Sequence, residues 1–167
     1  MEEKKYEGFT LSLALVDALP VLFFGGSAIL IGLLFGSTLF VVGAALIFLG
    51  GFLKVMWKVV LAVKHKDVPI LNKQMKYTML TGFAVVLASV IANIRRIDLR
   101  KIGKSLVSLP LLPFIVLYIL GMTAMGVLAK KLDSTKVRSN WIEQCVNGVS
   151  QGALFAGLLM LVLRKKK

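Results

Sequence analysis

Between positions 8 and 53 the chain carries a single charged side chain, Asp17. That stretch is about twice the roughly 20 residues that one helix needs to cross a bilayer. No lipid-exposed backbone can stay unpaired at that depth, so the segment must form helices. Its length predicts two of them joined by a tight hairpin, with Gly36-Ser37 as the turn. The expected spans are 9–35 and 38–63. Lys54, Trp57 and Lys58 near the end of the second read as interface anchors, the lysine heads snorkelling to water.

The rest of the chain repeats the theme. Segment 64–76 is polar and basic, and Pro69 within it predicts a loop. Segment 77–94 is apolar but short, and contains Thr78, Thr81, Ser89 and Asn93. The basic cluster Arg95, Arg96, Arg100, Lys101 and Lys104 follows. An apolar helix is expected over 106–129, with Pro110 and Pro113 near its start, where a missing N–H costs least. Lys130, Lys131, Lys136 and Arg138 surround the next loop. The last span is expected over 141–163, opened by Trp141 and stopped by Arg164-Lys165-Lys166-Lys167.

Hydropathy therefore predicts an all-α, polytopic membrane helix bundle of about five transmembrane helices, forming one integral membrane domain over 1–167. Charge bias gives a competing count. Five spans place twelve Lys and Arg on the side of the N-terminus and nine on the other. If 77–94 makes only a half-crossing, leaving four full spans, the imbalance becomes seventeen to four. The apolarity of 77–94 favours five.

Composition excludes several functions. Hydrophobic residues make up 57% of the chain and charged residues only 17%, far from the balance of a soluble domain. The net charge of +13 sits at the ends of apolar runs. It reads as a topology signal and a partner for anionic lipid head groups, not for nucleic acid. One cysteine and one histidine leave too few ligands for a His/Cys metal site and too few groups for a nucleophilic triad. Neither catalytic residues nor a cofactor is expected, and the chain reads as a non-enzyme.

Polar groups inside the spans mark the candidate site. A carboxylate at mid-membrane costs about 2.5–3.5 kcal/mol on insertion scales, so Asp17 must face protein or a water-filled cavity. Glu143 is expected in the first turn of the last helix, where it also complements the helix dipole. Glu143, Asn147 and Gln151 recur every four residues and share one helix face. Lipid cannot satisfy carboxamides, so that stripe predicts a cavity or pathway lining. Pro20 followed by Gly25-Gly26 predicts a kink or break in the first helix, a feature of many transporter binding sites. Glycine ridges at Gly32/Gly36 and Gly148/Gly152 predict close helix packing.

The expected function is a small multi-pass transporter or channel for a small solute or ion, proton-coupled in one form. Asp17, Glu143, Asn147 and Gln151 would bind the solute or ion. A chain of this size would form a homo-oligomer to enclose a path, and its expected location is the cell (plasma) membrane. The alternative is a non-catalytic membrane subunit or lipid-binding scaffold within a larger complex, with the polar stripe as its interface.

Overall fold

A computed structural model of the chain describes residues 8–94, 110–133 and 135–165. The N-terminal lysines, the 95–104 basic cluster and Lys166-Lys167 lie outside them. The described chain is helical throughout: α1 (Leu11–Phe35), α2 (Thr38–Lys64), α3 (Pro69–Asn93), α4 (Leu112–Lys131) and α5 (Val137–Lys165). All five are long and apolar enough to cross a membrane. Segment 77–94 thus falls almost wholly within a helix long enough to make a full crossing. At 1.5 Å per residue the 25 residues of α3 reach roughly 37 Å, beyond the hydrocarbon thickness of about 30 Å.

Local chemistry sets the ends. Thr10 caps α1, its hydroxyl oxygen accepting the Leu13 N–H at 3.3 Å. The expected hairpin is present. Gly36 closes α1 in the left-handed region at φ 59°, and Ser37 caps α2 by accepting the Phe40 N–H. Pro69 starts α3 where the sequence reading made it a loop breaker. A proline costs nothing in the first turn, where the N–H has no intrahelical partner. Pro113 does the same for α4, which begins at Leu112, later than expected. The last helix starts at Val137, one turn before Trp141. Outside the helices, hydrogen bonds from the Thr135 hydroxyl and N–H hold the Asp133 carboxyl below the usual carboxylate range.

Packing order differs from chain order. Helix α1 is central, with α2 on one side and α5 on the other; α3 packs on α2, and α4 on α5. The series α3-α2-α1-α5-α4 curls so that both outer helices reach a common interior, lined by side chains from all five. The outer helices do not pack extensively on each other.

Glycines make the close contacts. Gly25 and Gly26, expected to loosen α1, instead seat the rings of Phe48 from α2 and Phe155 from α5. Helix α1 is continuous through Pro20 and both glycines. Between α2 and α3 the backbones touch. A Cβ on Gly82 would stand 2.8 Å from the Gly43 carbonyl oxygen and 2.9 Å from the Ile47 nitrogen. At the far end, Ser37 and Ser89 hydroxyls lie 2.8 Å apart and the Asn93 amide donates to the Ser37 hydroxyl oxygen at 3.5 Å, tying the hairpin to α3.

These contacts separate two glycines. Gly82→Ala should lower the thermal midpoint in detergent by several degrees, because backbone atoms cannot yield and overpacking costs about 1–3 kcal/mol. Gly126→Ala, with nothing within 4 Å of the added carbon, should leave the midpoint unchanged or raise it, given alanine's helix preference of up to about 1 kcal/mol. Equal effects at both sites would refute the backbone contact.

Candidate functional site: a buried ion pair above a five-helix cavity

One face of α1 reads Leu13, Asp17, Val21 and Phe24, with Phe9 just before the helix. Spacings of three and four keep these side chains in one column, and together they meet three successive layers of the interior.

The outermost layer is an aromatic and aliphatic plug. Phe9, Leu13, Trp57 and Leu61 are buried together, with Leu71, Val137 and Trp141 packed around them. The Phe9 and Trp57 rings meet edge to face at a centroid distance of 6.4 Å. The Trp57 indole N–H donates to Asp67 Oδ1 at 2.7 Å, across the loop between α2 and α3. Trp57 is therefore core and not an interface anchor.

One turn deeper lies the charged layer. Lys58 Nζ stands 3.0 Å from Asp17 Oδ2, with Lys58 2% and Asp17 5% exposed. The contact is ionic, without hydrogen-bond alignment, and neither atom has another partner among the described residues. The expectation that Lys58 snorkels to water fails because the α1–α2 hairpin lays it against the one acid that needs a countercharge. Asp17 is the seventh residue of α1, about 9 Å from the start of the helix and so nearer one end than mid-membrane. Glu143 is the seventh residue of α5 and half-buried. It is two turns into the helix, so the first-turn capping role does not apply.

Below the charges is a cavity of about 280 Å³. Its lining includes Pro20, Val21 and Phe24 of α1, Phe48 and Gly51 of α2, Met79 and Phe83 of α3, Tyr118 and Met122 of α4, and Asn147 and Gln151 of α5. The Gln151 amide donates to the Met122 thioether at 3.6 Å, while its Oε1 has no partner among the described residues.

Of the four residues singled out in the sequence, Asn147 and Gln151 line the cavity. Asp17 stands in the charged layer one turn above it. Glu143 is half-buried on α5 and does not line the cavity. Sequence reasoning missed Lys58 and Tyr118. Gly152 of the glycine ridge packs against Phe23, and Gly32 against Val41. Comparison with known protein families, with curated proteins and with solved structures returned no match.

Truncating one partner of a buried ion pair costs about 3–5 kcal/mol, whereas replacing both with apolar groups is often neutral. Lys58→Met and Asp17→Leu should each destabilise the protein sharply, and the double variant should recover most of the loss. A thermal-unfolding cycle that came out additive would mean that the two charges are not coupled.

Proposed function

We propose that the protein is a small-solute transporter of the cell membrane, with the five-helix cavity as its solute site and the Asp17–Lys58 pair as its proton-responsive gate. The observation that carries this reading is the convergence of all five helices on one cavity directly beneath a buried ion pair. Ligand sites in helical bundles lie between the helices. Ionisable groups inside membrane spans are costly and mark pathways and proton relays. A buried pair gives little net stability, so its placement calls for a role beyond folding.

A transporter fits better than an open channel, since the plug of Phe9, Leu13, Trp57 and Leu61 covers the charged layer. In the proposed cycle a proton from water neutralises Asp17. Lys58 then loses its partner and turns to Glu143 on α5, the other carboxylate among the described helices. That exchange loosens α2 from α1 and opens the plugged end. The basic loops rest on anionic head groups, and a homo-oligomer would surround the cavity with further protein.

Native mass spectrometry of the protein released gently from its own membrane tests the reading. The expected result is a homo-oligomer or monomer retaining a small molecule, and loss of that mass in Val21→Phe, which fills the cavity. Stoichiometric release with a different protein, and no small ligand, would instead support a subunit of a larger complex. In proteoliposomes the retained molecule should drive proton flux, and Asp17→Leu/Lys58→Met should abolish that flux while remaining folded. Flux unchanged in the double variant would exclude the pair as the gate.

A further inference from the structure

We infer that the cavity takes a neutral, mainly apolar small molecule with a single hydrogen-bonding head, of the kind that partitions into a bilayer. This rests on the cavity being the solute site and names the class of solute.

The walls set the first limit. Phe24, Phe48, Phe83, Met79 and Met122 line it together with Pro20, Val21 and Ile47, and among the described residues no Asp, Glu, Lys, Arg or His lines the cavity. An ion entering such a space would shed its hydration with no countercharge to replace it, at a cost of several kcal/mol or far more. The charged layer above offers no compensation, because Asp17 and Lys58 already neutralise each other.

The polar groups set the second limit. Asn147, Gln151 and Tyr118 all come from α4 and α5, so the polarity sits on one side. Gln151 is 9% exposed, its Oε1 has no partner among the described residues, and its amide N–H reaches only a thioether, a weak acceptor. Asn147 and Tyr118 form no side-chain hydrogen bond among the described residues. A buried carboxamide so poorly satisfied gains from any ligand that donates to its oxygen. One alcohol or amide head answers both needs, donating to Gln151 Oε1 and accepting from the Asn147 amide. Two separated heads would leave one against phenylalanine or methionine.

Size and access agree. A cavity of about 280 Å³ falls just below the range for small-molecule sites, roughly 300–1,000 Å³. It suits a ring with a short arm. The seam between α3 and α4 is the side of the series where neighbouring walls lack extensive packing, which on this reading is the way in from the bilayer, where such molecules concentrate.

The test uses the full-length protein in phosphatidylcholine nanodiscs, with empty discs as the partition control. Equilibrium dialysis compares radiolabelled hydrocinnamyl alcohol with two isosteres charged at neutral pH, hydrocinnamate and hydrocinnamyl amine. The alcohol should bind saturably above empty discs, and each charged isostere at least about tenfold more weakly, given the desolvation of charge. Gln151→Leu, which keeps the volume, should weaken alcohol binding roughly five- to tenfold, the worth of one neutral hydrogen bond. Val21→Phe should abolish it. Should that variant not fold, Met122→Phe narrows the same cavity from α4, whose side chains are not deeply buried.

Alcohol binding no greater than in empty discs overturns the inference, as does a charged isostere binding as tightly as the alcohol. A charged molecule retained in native mass spectrometry and lost in Val21→Phe sinks the neutral class while leaving the cavity as the solute site. No binding of any probe, together with a co-released partner protein, sinks both.

Discussion

A carboxylate one-third of the way into an apolar helix forces the arrangement around it. Asp17 cannot stand alone in hydrocarbon, and Lys58 on α2 meets it at 3.0 Å. That contact fixes the register of the α1–α2 hairpin, and the rest of the pair follows. Val21 lies against Gly51, Phe48 against Gly25, Val41 against Gly32, and the chain turns at Gly36. The same register brings Phe9 onto Trp57 and builds the plug over the charges. Helix α1 then offers its other side to α5, which it seats with Gly26 under Phe155 and with Phe23 over Gly152. One helix thus joins two outer pairs, and a fault in its register would disturb both.

The cavity follows from where the close contacts are placed. Glycine brings backbones together between α2 and α3 at Gly43 and Gly82, and between α4 and α5 at Gly121 and Ser150. Both contacts lie within an outer pair. Pro20, Val21 and Phe24 turn the wall of α1 toward the interior. The space that Asn147 and Gln151 line lies where the two outer pairs meet that wall. Proline also removes the backbone bond that would have used the Val16 carbonyl, which softens α1 there without breaking it.

Much of this was legible in the sequence. Span number and hairpin position follow from hydropathy, since an apolar run fixes helix length and Gly-Ser fixes the turn. A carboxamide stripe at a spacing of four could face only protein or a cavity, so Asn147 and Gln151 were readable. Lys58 was misread because a lysine beside tryptophan near a helix end is the pattern of an interface anchor. Folding the hairpin at Gly36-Ser37 would have revealed it, since Asp17 then falls within about half a turn of Trp57-Lys58. Tyr118 carries no such signal, as an aromatic in an apolar span reads equally well as core. The early start of α3 was hidden by Pro69, whose chemistry serves a helix start as readily as a loop.

The layering bears on how so small a chain could transport anything. Lys58 sits on α2, while its present partner Asp17 and Glu143, the other acid within the described helices, lie on α1 and α5, which pack side by side. Helix α2 is bound to α3 by backbone contact at Gly43 and Gly82, so α2 cannot shift without α3. On the transport reading the moving unit is therefore the α2–α3 pair, sliding against α1, α5 and α4 as Lys58 trades one carboxylate for the other. That slide would change the plug, since Trp57 and Leu61 belong to α2 while Phe9 and Leu13 precede or open α1. It would also shift the α3 side of the seam between α3 and α4, because Met79 and Phe83 travel with the pair. One exchange of ionic partner would then act on both ways out of the cavity, which a single-chain bundle of five helices needs if it is to present its solute to two sides in turn.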